Sequence, residues 1–198
     1  QALATSGLLS GALYGRSVKP PQPAGLWKSV GMPSSYPNAD APDTGEKKYR
    51  RSVYTFWKRG MPPPQMTILN APSREECTAR RERTNTPLQA LLLMNEREYL
   101  RAARRLAHQS LADRSLDPAG RLLAVYETIT THLPDAKESE ALLSAATDLE
   151  AVYRENPELT SQLVEGMEPP SGVARSELAA WTLLVSSIYN LDIAKTRQ

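Results

Sequence analysis

The chain has 198 residues, 40% of them apolar and 23% charged, which suits a globular protein with a sizeable core and excludes a disordered or fibrous composition. A net charge of +2 is too small to argue for nucleic acid as a partner. The single cysteine, Cys77, excludes an intrachain disulfide, a CxxC element and a CxxCH haem attachment within these residues. No apolar run approaches the roughly 20 residues of a membrane span, and no signal peptide is visible.

The distribution of charge says more than its total. Residues 1–112 hold 17 Lys/Arg against 8 Asp/Glu, a balance of +9, whereas residues 113–198 hold 7 against 14, a balance of −7. Either the basic half presents a binding face or it docks onto the acidic half.

In chain order, residues 1–13 read as a short helix with Leu3, Leu8 and Leu9 apolar, stopping near Gly11. Ten of the 16 prolines fall before residue 73, which forbids long helices there and favours extended segments laid over a core. Trp27, Tyr36, Tyr49, Tyr54, Phe56 and Trp57 give this stretch an aromatic density unlike that of disordered chains. Residues 49–59 carry apolar side chains on both parities and fit a strand or a helical turn equally well. Pro62, Pro63 and Pro64 form an extended connector, residues 65–69 are a short extended candidate, and Ser73 with Glu76 can open a helical turn.

Thr86-Pro87-Leu88-Gln89 is a helix start, with an N-cap acceptor, a preset φ at N1 and a reciprocal partner at N3. The run from Leu88 to Met94 has no polar face, so this helix is expected to be buried nearly all round, with Arg80, Arg81 and Arg83 beside its entrance. Asn95 with Glu98 marks a break and a new start. Helix 96–111 then turns Tyr99, Leu100, Ala103, Leu106, Ala107 and Leu111 inward and Arg97, Arg101, Arg104 and Arg105 mostly outward. Asp117-Pro118 opens a helix to about residue 131, with Leu122, Leu123, Val125, Tyr126 and Ile129 as its apolar set. Asp135 with Glu138 opens another over 136–155, with Ala141, Leu142, Ala145, Leu149, Val152 and Tyr153. Asn156-Pro157 begins a short helix ending at Gly166, residues 168–172 form a loop, and residues 176–189 form a buried final helix that Asn190-Leu191-Asp192 ends or kinks. The expected fold is mainly α, a helical bundle wrapped by an irregular Pro-rich N-terminal third, in one domain: 1–72 as the wrap, 73–198 as the bundle.

For chemistry, Arg50, Arg51, Arg80, Arg81 and Arg83 can form a pocket for carboxylate, sulfate or phosphate, with Tyr54 and Trp57 as a platform for a sugar ring. Against this, the same arginines can pair with Glu75, Glu76, Glu82 and backbone carbonyls to fasten the irregular third in place. Asn85 belongs with this candidate anion or glycan site, although Thr84, Asn85 and Thr86 are explained by capping and a local turn. Cys77 is expected to be a buried, inert thiol, with no motif linking it to His108 or His132. No catalytic residue, cofactor-binding residue or metal ligand is assigned, since neither clustered ligand spacing, a phosphate loop nor a nucleophile elbow occurs. Trp27 and Trp181 stand at core-like positions.

Arg51-Ser52-Val53-Tyr54-Thr55-Phe56-Trp57-Lys58-Arg59, the block Arg80-Arg81-Glu82-Arg83-Thr84-Asn85-Thr86-Pro87-Leu88-Gln89-Ala90-Leu91, and Ala180-Trp181-Thr182-Leu183 with Asn190-Leu191-Asp192 resemble one family. It is the planctomycete-type domain of unknown function 1553. The resemblance implies the C-terminal part of a large, exported multidomain protein, periplasmic or at the cell surface. Members of that family typically follow a second uncharacterised domain, and often a cytochrome-c-like domain, so the resemblance implies haem only in upstream domains of the parent. It supplies a setting and no activity. The expected function is accordingly a non-catalytic structural and interaction module whose partner is the upstream domain of the same parent chain. The alternative is binding or processing of acidic, sulfated or uronic polysaccharide through an Arg/Trp surface, linked to a redox domain elsewhere. Neither nucleic acid nor a membrane span is expected.

Overall fold

A computed structural model describes residues 1–22, 25–26, 42–58 and 60–196, and the chain is mainly α. In order, the helices are α1 (Ala2–Thr5), α2 (Pro64–Ile68), α3 (Pro87–Asn95), α4 (Arg97–Ala112), α5 (Pro118–Thr130), α6 (Ala136–Glu155), α7 (Pro157–Leu163), α8 (Arg175–Asn190) and α9 (Asp192–Lys195). The chain divides into two compact units. One joins residues 1–7 to residues 85–198 and holds every α-helix named above except α2. The other, residues 8–84, is largely irregular. The division falls at 84/85, so the arginine-rich residues 73–84 go with the irregular unit and α1 goes with the helices.

The helical unit is built round α8. Eleven of its 16 residues are buried, among them Leu178, Ala179, Ala180, Trp181, Leu184, Val185 and Ile188, as its apolar composition predicts. The helices α4 and α6 supply its principal cover, with α3, α5, α7 and α9 completing it. Ala102, Ala103 and Ala107 on α4 are all at 0% exposure, and small side chains at these positions let α4 and α8 approach closely. The polar groups that burial traps find partners. Thr182 Oγ1 donates to the Leu178 carbonyl at 2.7 Å, and Tyr189 OH shares a 2.7 Å hydrogen bond with Thr5 Oγ1 on α1. Burial pushes the Tyr189 phenol up to about 12. Arg121, buried on α5, donates to the carbonyls of Ser110, in the last turn of α4, and of Leu116 just past that helix, and lies 5.4 Å from the Trp181 ring. A cation there also meets the negative end of the α4 dipole.

Local chemistry sets the helix starts. Thr86 and Gln89 form the expected reciprocal cap at 3.3 and 3.2 Å, Asp117 accepts from Gly120 N at 2.8 Å, and Asp135 and Glu138 close a second capping box at 2.8 and 3.0 Å. The break after α3 is present, but its cap is Glu96 rather than Asn95. Glu96 accepts from the amides of Glu98 and Tyr99, while the Asn95 amide turns back to the Leu91 carbonyl.

Other expectations are corrected. The apolar α3 is not buried nearly all round. Only Gln89 and Leu93 are buried, and Leu88, Leu91 and Met94 are 55%, 59% and 54% exposed, because α3 packs on α8 and α4 through one side. Residues 65–69 are not extended, since Pro64 at N1 starts α2. The first helix ends at Thr5, and Gly7 leaves it with φ +68°. Residues 73–76 form no helical turn, and Ser73 Oγ accepts instead from Glu75 N two residues on. Leu123 and Val152, read as core, are 38% and 50% exposed. Trp181 is in the core, whereas Trp27 and Tyr36 lie outside the described residues.

Two measurements test this architecture. Leu184→Ala, at the best-covered part of α8, is expected to cost about 2–5 kcal/mol in urea unfolding. Burial raises the Glu96 carboxyl above its ordinary value, against the lowering effect of its two amide donors. A raised folded pKa gives stability that is complete below the ordinary carboxylate value and lost as pH climbs through the folded one. Glu96→Gln keeps an acceptor at the cap without the charge. It should therefore melt above the wild type near neutral pH, with the gap closing below about pH 4.

Candidate functional site

The irregular unit is where most of the sequence-nominated residues lie. Its backbone is tied by few ladders: Val18 N donates to the Tyr54 carbonyl and Phe56 N to the Val18 carbonyl, both at 2.8 Å, making a parallel bridge between Val18 and Thr55. On the other side of this segment, Lys19 N donates to Asp43 Oδ2 at 2.7 Å and Asp43 N returns to the Lys19 carbonyl at 2.8 Å.

Arg50 holds the next turn. Its guanidinium donates to the carbonyls of Ala12, Tyr14 and Arg16 and lies 3.8 Å from the Tyr54 ring centre, while Tyr54 OH accepts from Tyr14 N at 2.9 Å. The donors available for a bidentate anion contact are thus largely committed to main chain. Arg51, one residue on, is exposed. Trp57 is half-buried and carries the Arg74 guanidinium at 4.8 Å over its ring. Arg74 was not among the nominated residues, and its left-handed φ of +66° is the conformational cost of this arrangement.

Arg81 closes a loop. Its Nε donates to the Asn70 carbonyl at 3.0 Å and its Nη2 to the Leu69 carbonyl, while Asn70 Nδ2 donates to Thr84 Oγ1 at 2.6 Å. Residues 70–84 therefore form an Ω-like loop whose ends meet. Arg80 and Arg83 are exposed on it. So is Cys77, which corrects the expectation of a buried thiol: nothing apolar closes over this part of the loop. Asn85 belongs to the helical unit, where Nδ2 donates to Asp192 Oδ1 at 2.9 Å and ties the entrance of α3 to α9.

The structure thus joins Arg50 to Tyr54 and Trp57 to Arg74, commits Arg81 to its own loop base, and gives Asn85 a structural partner on α9. Charge follows the division between units: residues 8–84 carry 13 Lys/Arg and 6 Asp/Glu, whereas the rest of the chain carries 11 and 16. No group of three or more His, Cys, Asp or Glu side chains suited to a metal occurs among the described residues. Nor, among those residues, is any helix long and apolar enough to cross a membrane.

Compared with known protein families, residues 1–146 match the family model of PSD1, a protein of unknown function (DUF1553). The chain belongs to this family. The match takes in the whole irregular unit and the helical unit as far as the middle of α6, including every nominated residue of the DUF1553 blocks at 51–59 and 80–91. No curated protein and no solved structure matches the chain.

Arg50→Lys is the direct check on the guanidinium that organises this DUF1553 unit. A single ammonium cannot serve three carbonyls and a ring at once. Amide exchange at Val18 and Phe56 is expected to accelerate by about tenfold or more. The exposed Arg51→Lys should leave both unchanged.

Proposed function

We propose that this DUF1553 chain is a non-catalytic interaction module of a larger exported protein, seated on the domain that precedes it in the same parent. The observation that carries this reading is the outer face of α3. A capped helix, anchored by Leu93 and Gln89 on one side, holds Leu88, Leu91 and Met94 in water on the other, each more than half exposed. Spacing of three residues puts these side chains on one face of the helix. An apolar helix face of this kind suits the groove of a partner, read through anchors at i, i+3 and i+6. The cost of keeping three large apolar groups exposed supports a binding role for them.

A glycan platform at Tyr54 and Trp57 is the weaker reading, because each ring already carries a guanidinium of this chain over one face.

The test is a titration of the chain with the preceding segment of its parent protein, followed by calorimetry. Leu91→Glu with Met94→Glu changes only exposed positions of α3 and should leave the circular dichroism spectrum and melting temperature of the chain in place. Affinity should fall by about tenfold or more, as expected for anchors of a helix in a groove. Absence of any affinity between the two pieces, or affinity indifferent to the double substitution, would remove the proposal.

A further inference from the structure

Two exposed corners of the chain, one in each unit, carry opposite charge around large apolar side chains. In the irregular unit, residues 12–16 form a turn that Arg50 holds by its carbonyls and Tyr54 OH holds by the Tyr14 amide. The turn puts its side chains in water. Leu13 is 54% and Tyr14 83% exposed, and Tyr14 takes a left-handed φ of +62°, which an aromatic residue rarely adopts. Strain of that kind persists only where the surroundings enforce it, as the Arg50 guanidinium does here. Next to Tyr54 in the chain, Val53 is 72% exposed. Residues 12–16 and 44–54 together hold five Lys/Arg against one Asp/Glu, and Arg16, Lys47 and Arg51 among them are exposed.

In the helical unit, the corner where α6 passes into α7 has the reverse character. Asn156 Nδ2 donates to the Val152 carbonyl at 2.8 Å and Thr160 Oγ1 to the Tyr153 carbonyl, so side chains of the α7 segment fasten the end of α6. Asp148, Val152 and Glu155 recur at i, i+4 and i+7 along one stripe of α6, and Glu158 with Leu159 follows on α7. All five are exposed, Val152 by 50% and Leu159 by 52%. Residues 148–159 hold four Asp/Glu against one Lys/Arg, and that one, Arg154, pairs with Glu150. Asp148, Glu155 and Glu158 have no ion-pair partner among the described residues.

We infer that the cationic turn of one copy of this chain docks on the acidic α6–α7 corner of a second copy, with Leu13 and Tyr14 as anchors against Val152 and Leu159. A second copy is the occupant because the chain itself supplies the complement: three unpaired carboxylates around two large apolar groups answer three exposed cations around three. A nucleic acid or an acidic glycan would meet the cations of the turn, yet it would leave the apolar groups beside them in water and give the acidic corner no role. At such a contact charge steers the encounter and the apolar anchors hold it. The two faces differ, so the contact is heterologous, and each added copy leaves one free face of each kind unless a ring closes. Neither corner includes α3, so this inference and the α3 reading fail independently.

The test is sedimentation velocity of the full chain from ~5 to ~500 μM, at ~50 and ~300 mM salt. Average mass is expected to rise with concentration, and to rise less at the higher salt. Tyr14→Asn/Arg51→Gln removes an anchor and a charge of the turn, with Asn able to keep the left-handed backbone. Val152→Gln/Glu155→Gln does the same to the acidic corner. Either pair alone should weaken self-association by about tenfold or more. An equimolar mixture of the two should form a dimer and stop there, since the first variant keeps an intact acidic corner and the second an intact turn. If either pair lowers the melting temperature, Lys47→Gln/Arg51→Gln and Glu155→Gln/Glu158→Gln, which change exposed charges only, decide the matter with losses of about threefold. A chain monomeric throughout, association indifferent to these substitutions, a mixture that stays monomeric, or association abolished by Leu91→Glu/Met94→Glu instead would each overturn the inference.

Discussion

The helical unit depends on the fact that α8 has little it can show to water. Its buried residues run round the whole circumference, from Leu178 and Ala179 through Trp181 and Thr182 to Val185 and Ile188. A helix so composed is stable only if other elements enclose it. The neighbouring helices therefore need only one apolar side each, which is why α4 can be apolar where it meets α8 and basic along its outer stripe. Polar atoms caught inside are served locally: Thr182 by its own helix, Tyr189 by Thr5, Arg121 by carbonyls at the end of α4. Burial on this scale contributes about 25 cal/mol for each Å² of apolar surface removed from water.

The irregular unit solves the opposite problem. Prolines remove backbone N–H donors but leave their carbonyls, so a Pro-rich segment has more acceptors than donors. A guanidinium brings five donors in a fixed fork. Arg50 serves three carbonyls of residues 12–16, and Arg81 serves the two at residues 69 and 70. The arginines of this unit act in part as substitutes for a missing hydrogen-bond ladder. That role accounts for Arg50 and Arg81 without any ligand, and it is why an Arg-rich stretch in a proline-rich chain is weak evidence of an anion site.

What the sequence made legible is what is decided within a few residues. The caps at Thr86, Asp117 and Asp135 were readable because donor and acceptor lie three positions apart. The all-round burial of α8 was readable because no polar face exists to turn outward. The same argument failed on α3, where apolar composition is present but cover is supplied on one side only; composition states which faces tolerate burial, not which ones find a neighbour. At the next junction the cap moved by one residue, because Glu96 and Asn95 are both competent acceptors and only the path of the chain selects between them. The site was less legible still. The carbonyls that occupy Arg50 lie 34–38 residues away in sequence, and the Arg74 to Trp57 stack spans a loop, so no local pattern announces either.

The junction between α3 and α4 bears on the proposed α3 face. Glu96 ends one helix and begins the next: its amide donates to the Leu92 carbonyl at 2.9 Å, and its carboxylate accepts from the amides of Glu98 and Tyr99. Glu96 is the single residue between the two helices, and both pack on α8. The apolar face of α3 therefore lies beside the basic outer side of α4. Surfaces of these two kinds divide the work of association: charge raises the rate of encounter and is screened by salt, whereas buried apolar anchors lengthen the life of the complex.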